Sequence, residues 1–454
     1  MKELRPPGPK GHLLTGNWRE FYKDQLGFLT EVAREFGDVV RLRFLNVRVY
    51  LLSNPKYIEW VFNSRNFRKP MSLRLPMQRR IFGNGLLSSQ GEAWSRARRL
   101  TQPAFHKDRL ATYGDTMVAC AHKMLAGWQA DQVRDIYEEM RGLTLEIAAK
   151  CLFDFDLSCD GTSVRDACKT IVSTSASQGG PLWILDNLLP TPNNLRFRKA
   201  INQLDQIIYD LIARHRTENV ASDDLISLLS SAKDENGIPI SSQQLRDELA
   251  TLFFASYEAA ALGLAWTCYL LALYPNIQET LVAELREIMD ARADPKAAHL
   301  PALVYTRTVV KEAMRLYPPN RSVGREALNG CQIGNYRVPA GTQLLMSQWV
   351  VHRDARYFDN PEEFKPDRWT TEFARELPRY AYFPFGGGPR VCIGQDFAMM
   401  EIMLVVATVF RRFKLSLVEG QVVEPRPDIL LRPRNGIKVR LTNREHCSAK
   451  PNRD

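Results

Sequence analysis

The sequence predicts a mainly α-helical protein with small β-sheets at its edge. Three observations point there. Helical periodicity runs through most of the chain. One stretch, Ser241–Tyr274, is long and apolar on all sides from Leu249 onward, as a helix buried in the centre of a core would be. Strand signals are few and lie toward the ends.

The first strand signal is a hairpin. Val40, Leu42 and Phe44 alternate with Arg41 and Arg43; after a turn at Asn46, Val47, Val49 and Leu51 alternate again, which predicts one buried face. Leu29, Val32, Ala33 and Phe36 form a helical stripe before it. Glu138–Phe153 and Leu195–His215 read as helices. Ser241-Ser242 can cap the long central helix, and Pro275 stops it. A second β region is expected around Cys331–Met346, with turns at Gly334-Asn335 and Pro339-Ala340-Gly341, and a third near Phe413–Leu441.

The chain has 454 residues, 45% hydrophobic and 25% charged, which is ordinary for a globular protein large enough to bury a core without disulfides. Residues 20–440 contain no linker-like run and no repeat, so one domain is expected over 1–454, with an extended Pro-rich segment over 1–20 and a disordered tail over 445–454. The eight cysteines are scattered with no paired spacing, which argues against a disulfide framework and a structural zinc site and for a reducing, cytoplasmic setting. The net charge of +10 suits solubility or an acidic partner; no Lys/Arg tract with interleaved aromatics points to nucleic acid. The opening residues MKELRPPGPK hold no apolar run, so no signal peptide and no transmembrane segment is expected.

The sharpest motif is Phe385-Gly386-Gly387-Gly388-Pro389-Arg390-Val391-Cys392-Ile393-Gly394. Phe, Gly, any, Gly, any, Arg, any, Cys, any, Gly is the haem-binding signature of the cytochromes P450, and every fixed position agrees. More distant motifs occur in the expected order. Glu312 and Arg315 share one helix face in KEAMRLYPP; Arg368 follows in FKPDRW; Trp94 and Arg98 are spaced i,i+4. The chain therefore resembles the cytochrome P450 monooxygenases of the soluble bacterial type along almost its whole length.

That resemblance implies a prism-shaped fold with haem b between the long central helix and the helix after the cysteine loop. It implies a thiolate from Cys392 on the iron, where a thiolate pushes electron density onto the metal and favours O–O cleavage. The helix start after Cys392 should lower its pKa. Phe385 and Gly386 would lie against the macrocycle. Arg390, Trp94, Arg98 and Arg325 would hold the propionates. Glu312, Arg315 and Arg368 would form a structural triad that locks the cysteine loop. His352 lies in a region that can approach the haem, and reads as a satisfied structural histidine.

The chain departs from the family on the long helix. The usual pattern is Ala/Gly-Gly-x-Asp/Glu-Thr-Thr/Ser, and here Ala255-Ser256-Tyr257-Glu258-Ala259-Ala260 stands instead. The acid, Glu258, is present and is expected in proton delivery. Ala259 replaces the threonine and cannot hydrogen-bond through its side chain, so more reduced oxygen should leave as hydrogen peroxide. Three explanations stand: a substrate hydroxyl fills the gap, Ser256 replaces the lost hydroxyl, or the chemistry is non-standard. The alternative for Ser256 is a bond back to the carbonyl of Leu252.

Family resemblance places substrate contacts in 72–87, 178–194 and 320–324 and at 429–431, so Ala255, Leu185, Val323 and Ile429 are candidate pocket residues. These regions are largely apolar, which suits an apolar or amphipathic small molecule such as a fatty acid, terpenoid, steroid or polyketide. Arg74, Arg79 and Arg80 read as solvated charges. No reductase domain follows residue 410, so electrons are expected from a separate ferredoxin- or flavodoxin-type donor, with Arg375 and Arg379 offering a docking charge. The protein is expected to act as a monomer that uses dioxygen. Two alternatives remain: haem-thiolate chemistry without dioxygen activation (peroxide-driven oxidation, isomerisation or dehydration), and a non-catalytic haem sensor.

Overall fold

The computed structural model describes residues 4–70, 76–177, 191–217, 225–232, 237, 239–290 and 293–444. The elements that position the site are, in chain order, α1 (Gln25–Phe36), β1 (Val39–Phe44), β2 (Val47–Leu52), α2 (Pro55–Asn63), β3 (Phe67–Arg68), α3 (Pro76–Phe82), α4 (Gly91–Thr101), α5 (Lys107–Ala126), β4 (Val133–Asp135), α6 (Ile136–Phe153), α7 (Leu157–Ser177) and α8 (Pro192–Thr217). They continue with α9 (Ser242–Leu273), α10 (Pro275–Ile288), α11 (Val304–Leu316), β5 (Val323–Ala327), β6 (Cys331–Ile333), β7 (Tyr336–Val338), β8 (Gln343–Met346), α12 (Gln395–Arg412), β9 (Phe413–Leu417), β10 (Pro425–Pro427), β11 (Leu431–Pro433) and β12 (Lys438–Asn443).

The fold is mainly α with small sheets. Helix α9 is the axis. Ser241 caps it by accepting from the Gln244 amide at 3.1 Å, which satisfies one of the free donors of the first turn. Tyr274 closes it, and Pro275 begins α10, where a missing N–H costs nothing. Helices α6, α11 and α12 pack on α9. Nearly every side chain of α9 from Leu245 to Leu271 is buried. Its length and hydropathy would suffice to cross a membrane, but 83% of its most apolar window is buried inside the protein, so it is a core helix.

The N-terminal hairpin forms with the expected register, Phe44 opposite Val47 and Val40 opposite Leu51. It is not two-stranded. β2 pairs in parallel with β8, β8 with β5 and β5 with β3, giving the order β1-β2-β8-β5-β3. This corrects the expectation of a single buried face. Val40, Leu42, Val49 and Leu51 pack on α1 residues Leu29 and Val32, while Val39, Tyr50 and Leu52 enter a second cluster with Ile58, Phe62 and Tyr380. The second cluster joins the sheet to the segment that leads into the cysteine loop. The C-terminal strands form a three-stranded sheet β4-β12-β9 and the separate hairpin β10-β11.

Candidate active site

The cysteine loop is built by close approach. Gly388 has φ +65°, and a Cβ there would meet the Phe62 carbonyl oxygen of α2 at 2.3 Å, so only glycine fits. Gly386 also adopts a left-handed φ of +74°. The Cys392 amide donates to the Phe385 carbonyl at 3.0 Å and the Gly386 amide to the Phe383 carbonyl at 2.9 Å, which closes the loop before α12. The buried His352 imidazole accepts from the Phe383 amide at 2.9 Å. Burial, then the charges of Arg315 and Arg353, push its pKa well below the ordinary value, so it is a neutral acceptor that fixes the start of the loop.

Cys392 keeps exposed surface at the end of its loop, just before α12. Burial pushes its thiol up, against lowering by the Gly394 amide and by Arg98. The expected net lowering by the helix start is therefore not found in the protein alone, because desolvation outweighs one amide and one guanidinium. A metal coordinated by Cys392 would supply the missing charge, since a metal-bound thiol is deprotonated outright.

Four cations gather beside the cysteine loop: Arg98 acts on Cys392, and Lys69, Arg325 and Arg390 act on one another. Arg98 on α4 donates to the Val391 carbonyl at 2.8 Å. Arg390 donates to the Ser89 carbonyl at 3.2 Å and lies 4.4 Å from the centroid of the Trp94 ring. Arg325 lies in β5, not before the sheet as its sequence position suggests; it is buried, donates to the Gly324 carbonyl and stands 5.2 Å from the Phe62 ring. Lys69 donates to the Leu87 carbonyl at 2.7 Å. Its pKa is pulled down to about 7 by burial and by the charges of Arg390 and Arg325. Among the described residues no carboxylate pairs with any of the four. A buried Arg325 and three half-buried cations without counter-charge among the described residues are costly, so the arrangement fits a ligand bearing carboxylates. The sequence reading missed Lys69. Its one signal is a place beside the loop 82–89, which carries the Leu87 and Ser89 carbonyls.

The triad forms as expected in composition. Glu312, wholly buried, accepts from Arg315 Nε at 2.8 Å, Arg368 Nε at 2.8 Å and Trp369 Nε1 at 2.9 Å. Arg315 and Arg368 also donate to the carbonyls of Pro361, Glu363 and Asp359. The triad thus fixes the segment 359–369 and reaches the cysteine loop by two routes: Arg315 also donates to the carbonyl of His352, whose ring holds the Phe383 amide, and the Tyr382 ring packs on Trp369 while its hydroxyl donates to the Lys311 carbonyl.

On α9, Ala255 is exposed and Ser256 and Ala259 are half-buried, although Leu252, Phe254, Tyr257 and Glu258 around them are buried. An open groove therefore runs along this one face of a core helix. Ser256 Oγ donates to the carbonyl of Phe253 at 3.0 Å, three residues back, and not to that of Leu252. Glu258 faces α6 and β11: it accepts from Tyr137 at 2.7 Å and Arg432 at 2.9 Å, and Arg141 stands 3.3 Å away. Val323 is half-buried in the second cluster and Ile429 is 54% exposed on the β10–β11 turn. Leu185 lies outside the described residues, as do Arg74 and the tail from 445. Arg79, Arg80, Arg375 and Arg379 are exposed. Arg379 and Lys311 line a concavity of about 310 Å³ on the outer side of the cysteine loop, with Phe385 and Gly387.

Comparison with known proteins agrees with this geometry. The family profile described as Cytochrome P450 matches residues 6–441. Cyclooctatin synthase of Streptomyces melanosporofaciens is 34% identical over 93% of this chain and 92% of its own. Cyclooctat-9-en-7-ol 5-monooxygenase of the same organism is 33% identical over 90% of this chain and 88% of its own. Among solved structures, the retinoic acid-bound cyanobacterial CYP120A1 superposes with a TM-score of 0.87 at 26% identity, covering 98% of this chain and all of that one. The chain belongs to the cytochrome P450 family, and is an oxidoreductase of its monooxygenase class.

Proposed function

We propose that the protein binds iron protoporphyrin IX through Cys392 and hydroxylates a terpene-derived alcohol or hydrocarbon, as a cytoplasmic monomer supplied with electrons by a ferredoxin- or flavodoxin-type donor. The reaction balances as RH + O2 + 2 H+ + 2 e− → ROH + H2O, with the electrons from the donor protein. The observation that carries the reading is the exposed Cys392 at the end of its glycine-built loop, with four cations gathered beside that loop that lack carboxylate partners among the described residues. When bound, the haem iron supplies dioxygen activation, which no side chain can. Lys69, Arg98, Arg325 and Arg390 would hold the propionates, Trp94 supports the Arg390 plane, and the groove at Ala255 and Ala259 receives the substrate.

The bond from Ser256 to Phe253 favours substrate assistance over rescue by Ser256. That hydroxyl is already committed to the helix backbone and would have to leave it. The Streptomyces relative named for cyclooctat-9-en-7-ol acts, by that name, on an alcohol, and an alcohol could order the water that Ala259 cannot. Titration with paired hydroxylated and deoxygenated terpenes, followed by the Soret band, tests this. Tight shifts and product only with the alcohols support it; equal turnover of deoxygenated analogues with little peroxide sinks it.

Arg379 and Lys311, flanking the concavity outside the cysteine loop, suit an acidic donor. Reversing both charges should raise the donor's apparent KM and leave substrate affinity unchanged. Ala259 also favours a second reading, haem-thiolate chemistry that needs no reductant; product formed without any reductant would identify it.

A further inference from the structure

Glu258 does not stand alone. Six side chains of alternating sign run through it from one surface to another. Glu138, 51% exposed, pairs with Arg141 at 2.9 Å. Arg141 stands 3.3 Å from Glu258 Oε2. Glu258 Oε1 accepts a hydrogen bond from Arg432 Nε at 2.9 Å. Arg432 stands 3.7 Å from Asp428, and Asp428 pairs with Arg426, 46% exposed, at 2.6 Å. The chain is neutral in sum, which is how charges as deeply buried as Glu258 and Arg432 persist.

Two details separate this chain of charges from a plain structural bridge. Glu258 Oε2, although 3.3 Å from Arg141 Nε, has no aligned hydrogen-bond donor among the described residues, so one of its two oxygens is held less firmly than the other. And Arg432 is shared between Glu258, on the helix that carries the groove, and Asp428, on the turn that carries Ile429. That turn is held from behind at Leu431, whose amide donates to the Pro319 carbonyl and whose carbonyl accepts from Trp266 Nε1. The backbone is thus fixed between the turn and Arg432, and movement at 428–430 reaches Arg432 through its ion pair with Asp428.

We infer that Arg432 is a positioning residue that couples substrate contact at the 428–430 turn to the orientation of Glu258. The inference rests on the monooxygenase reading and adds its regulation. With the turn in its present place, Arg432 divides its two carboxylates and Glu258 is held toward α6. A substrate that displaces the turn draws Asp428 from Arg432 and alters the hold on Glu258, so protons pass when substrate is present. The other groups that face Glu258 are Tyr137 and Arg141 on α6, Cys168 on α7 and Tyr257 on α9 itself. Burial, reinforced by the Glu258 charge, holds the Tyr137 phenol far above its ordinary value, so it remains a donor.

The test compares Arg432→Gln, Arg432→Lys and Asp428→Asn in the haem-loaded full chain, with cyclooctat-9-en-7-ol as the first probe and otherwise the compound giving the largest Soret shift. The expected result for Arg432→Gln is a loss of product per reductant of about five-fold or more with a changed pH profile, an unchanged Soret-derived Kd, and recovery in Arg432→Lys. Hydrogen exchange gives a readout independent of turnover: substrate should change protection in both 425–433 and 253–260 of the wild type, and Asp428→Asn should remove the change in 253–260 alone. Equal coupling and pH profile in Arg432→Gln, or equal losses in the Gln and Lys variants with a lowered melting temperature, overturn the inference. If the wild type forms no product with any donor, the monooxygenase reading fails, while the exchange experiment still decides whether turn and helix are linked.

Discussion

The Arg390 guanidinium lies 4.4 Å from the centroid of the Trp94 ring while donating to the Ser89 carbonyl. A residue of the cysteine loop thereby rests on a residue of α4 and holds the loop that precedes α4. Each of the two was expected to reach a propionate directly. Trp94 also orients Arg390 through a cation–π contact worth about 0.5–2 kcal/mol. Trp94→Phe should retain part of the stacking and Trp94→Ala lose it. Haem transfer to an acceptor globin should be slow, intermediate and fast across wild type, Phe and Ala variants.

Lys69 gives a prediction with a definite pH sign. Its folded pKa of about 7 lies below the unfolded value of about 10.4. Between those values the unfolded chain binds more protons, so the haem-free protein should gain stability as pH rises through that window. Lys69→Met should flatten this rise, measured by urea melts at both ends of it. In the haem-loaded protein the same variant should release haem faster, because one charge of the propionate clamp is gone.

Glu312 accepts from Arg315, Arg368, Trp369 and the Lys365 amide while wholly buried. Glu312→Gln leaves two buried guanidiniums without their counter-charge, a loss of about 3–5 kcal/mol. Chemical denaturation should show it, along with melting of the segment 359–369 before the core. A loss within 1 kcal/mol, in terms of the usual surface-pair scale, would contradict the triad's role.

Ala259→Thr returns a hydroxyl to the groove. With a deoxygenated substrate the peroxide released per reductant should fall; with a hydroxylated substrate it should change little, since the substrate already fills the place. Peroxide assay alongside product analysis checks both arms.

Much of the chemistry was legible in the sequence because it depends on fixed local spacing. The cysteine loop needs glycines at set places before Cys392, and Gly388 against the Phe62 carbonyl shows the steric reason. The Glu312–Arg315 pair needs one helix face. What escaped depended on tertiary neighbours. Val323–Ala327 has no alternating pattern, yet pairs with β8 and β3 as a strand and buries Arg325. Lys69 is an unremarkable residue in sequence and acquires meaning only between Arg325 and Arg390. The direction of Glu258, toward Tyr137 and Arg432, depends on a hairpin 174 residues away. Ser256 was correctly seen as able to bond backward, but its partner is the i−3 carbonyl and not the i−4 one.

The measurement that bears most directly on the central claim is turnover of a terpene alcohol under isotopically labelled dioxygen, with a surrogate ferredoxin system and the Cys392→Ala variant as control. The account predicts one labelled oxygen atom in the product, the other in water, strict need for reductant, and no product from the variant. Product that is unlabelled, or that forms without reductant, would contradict it.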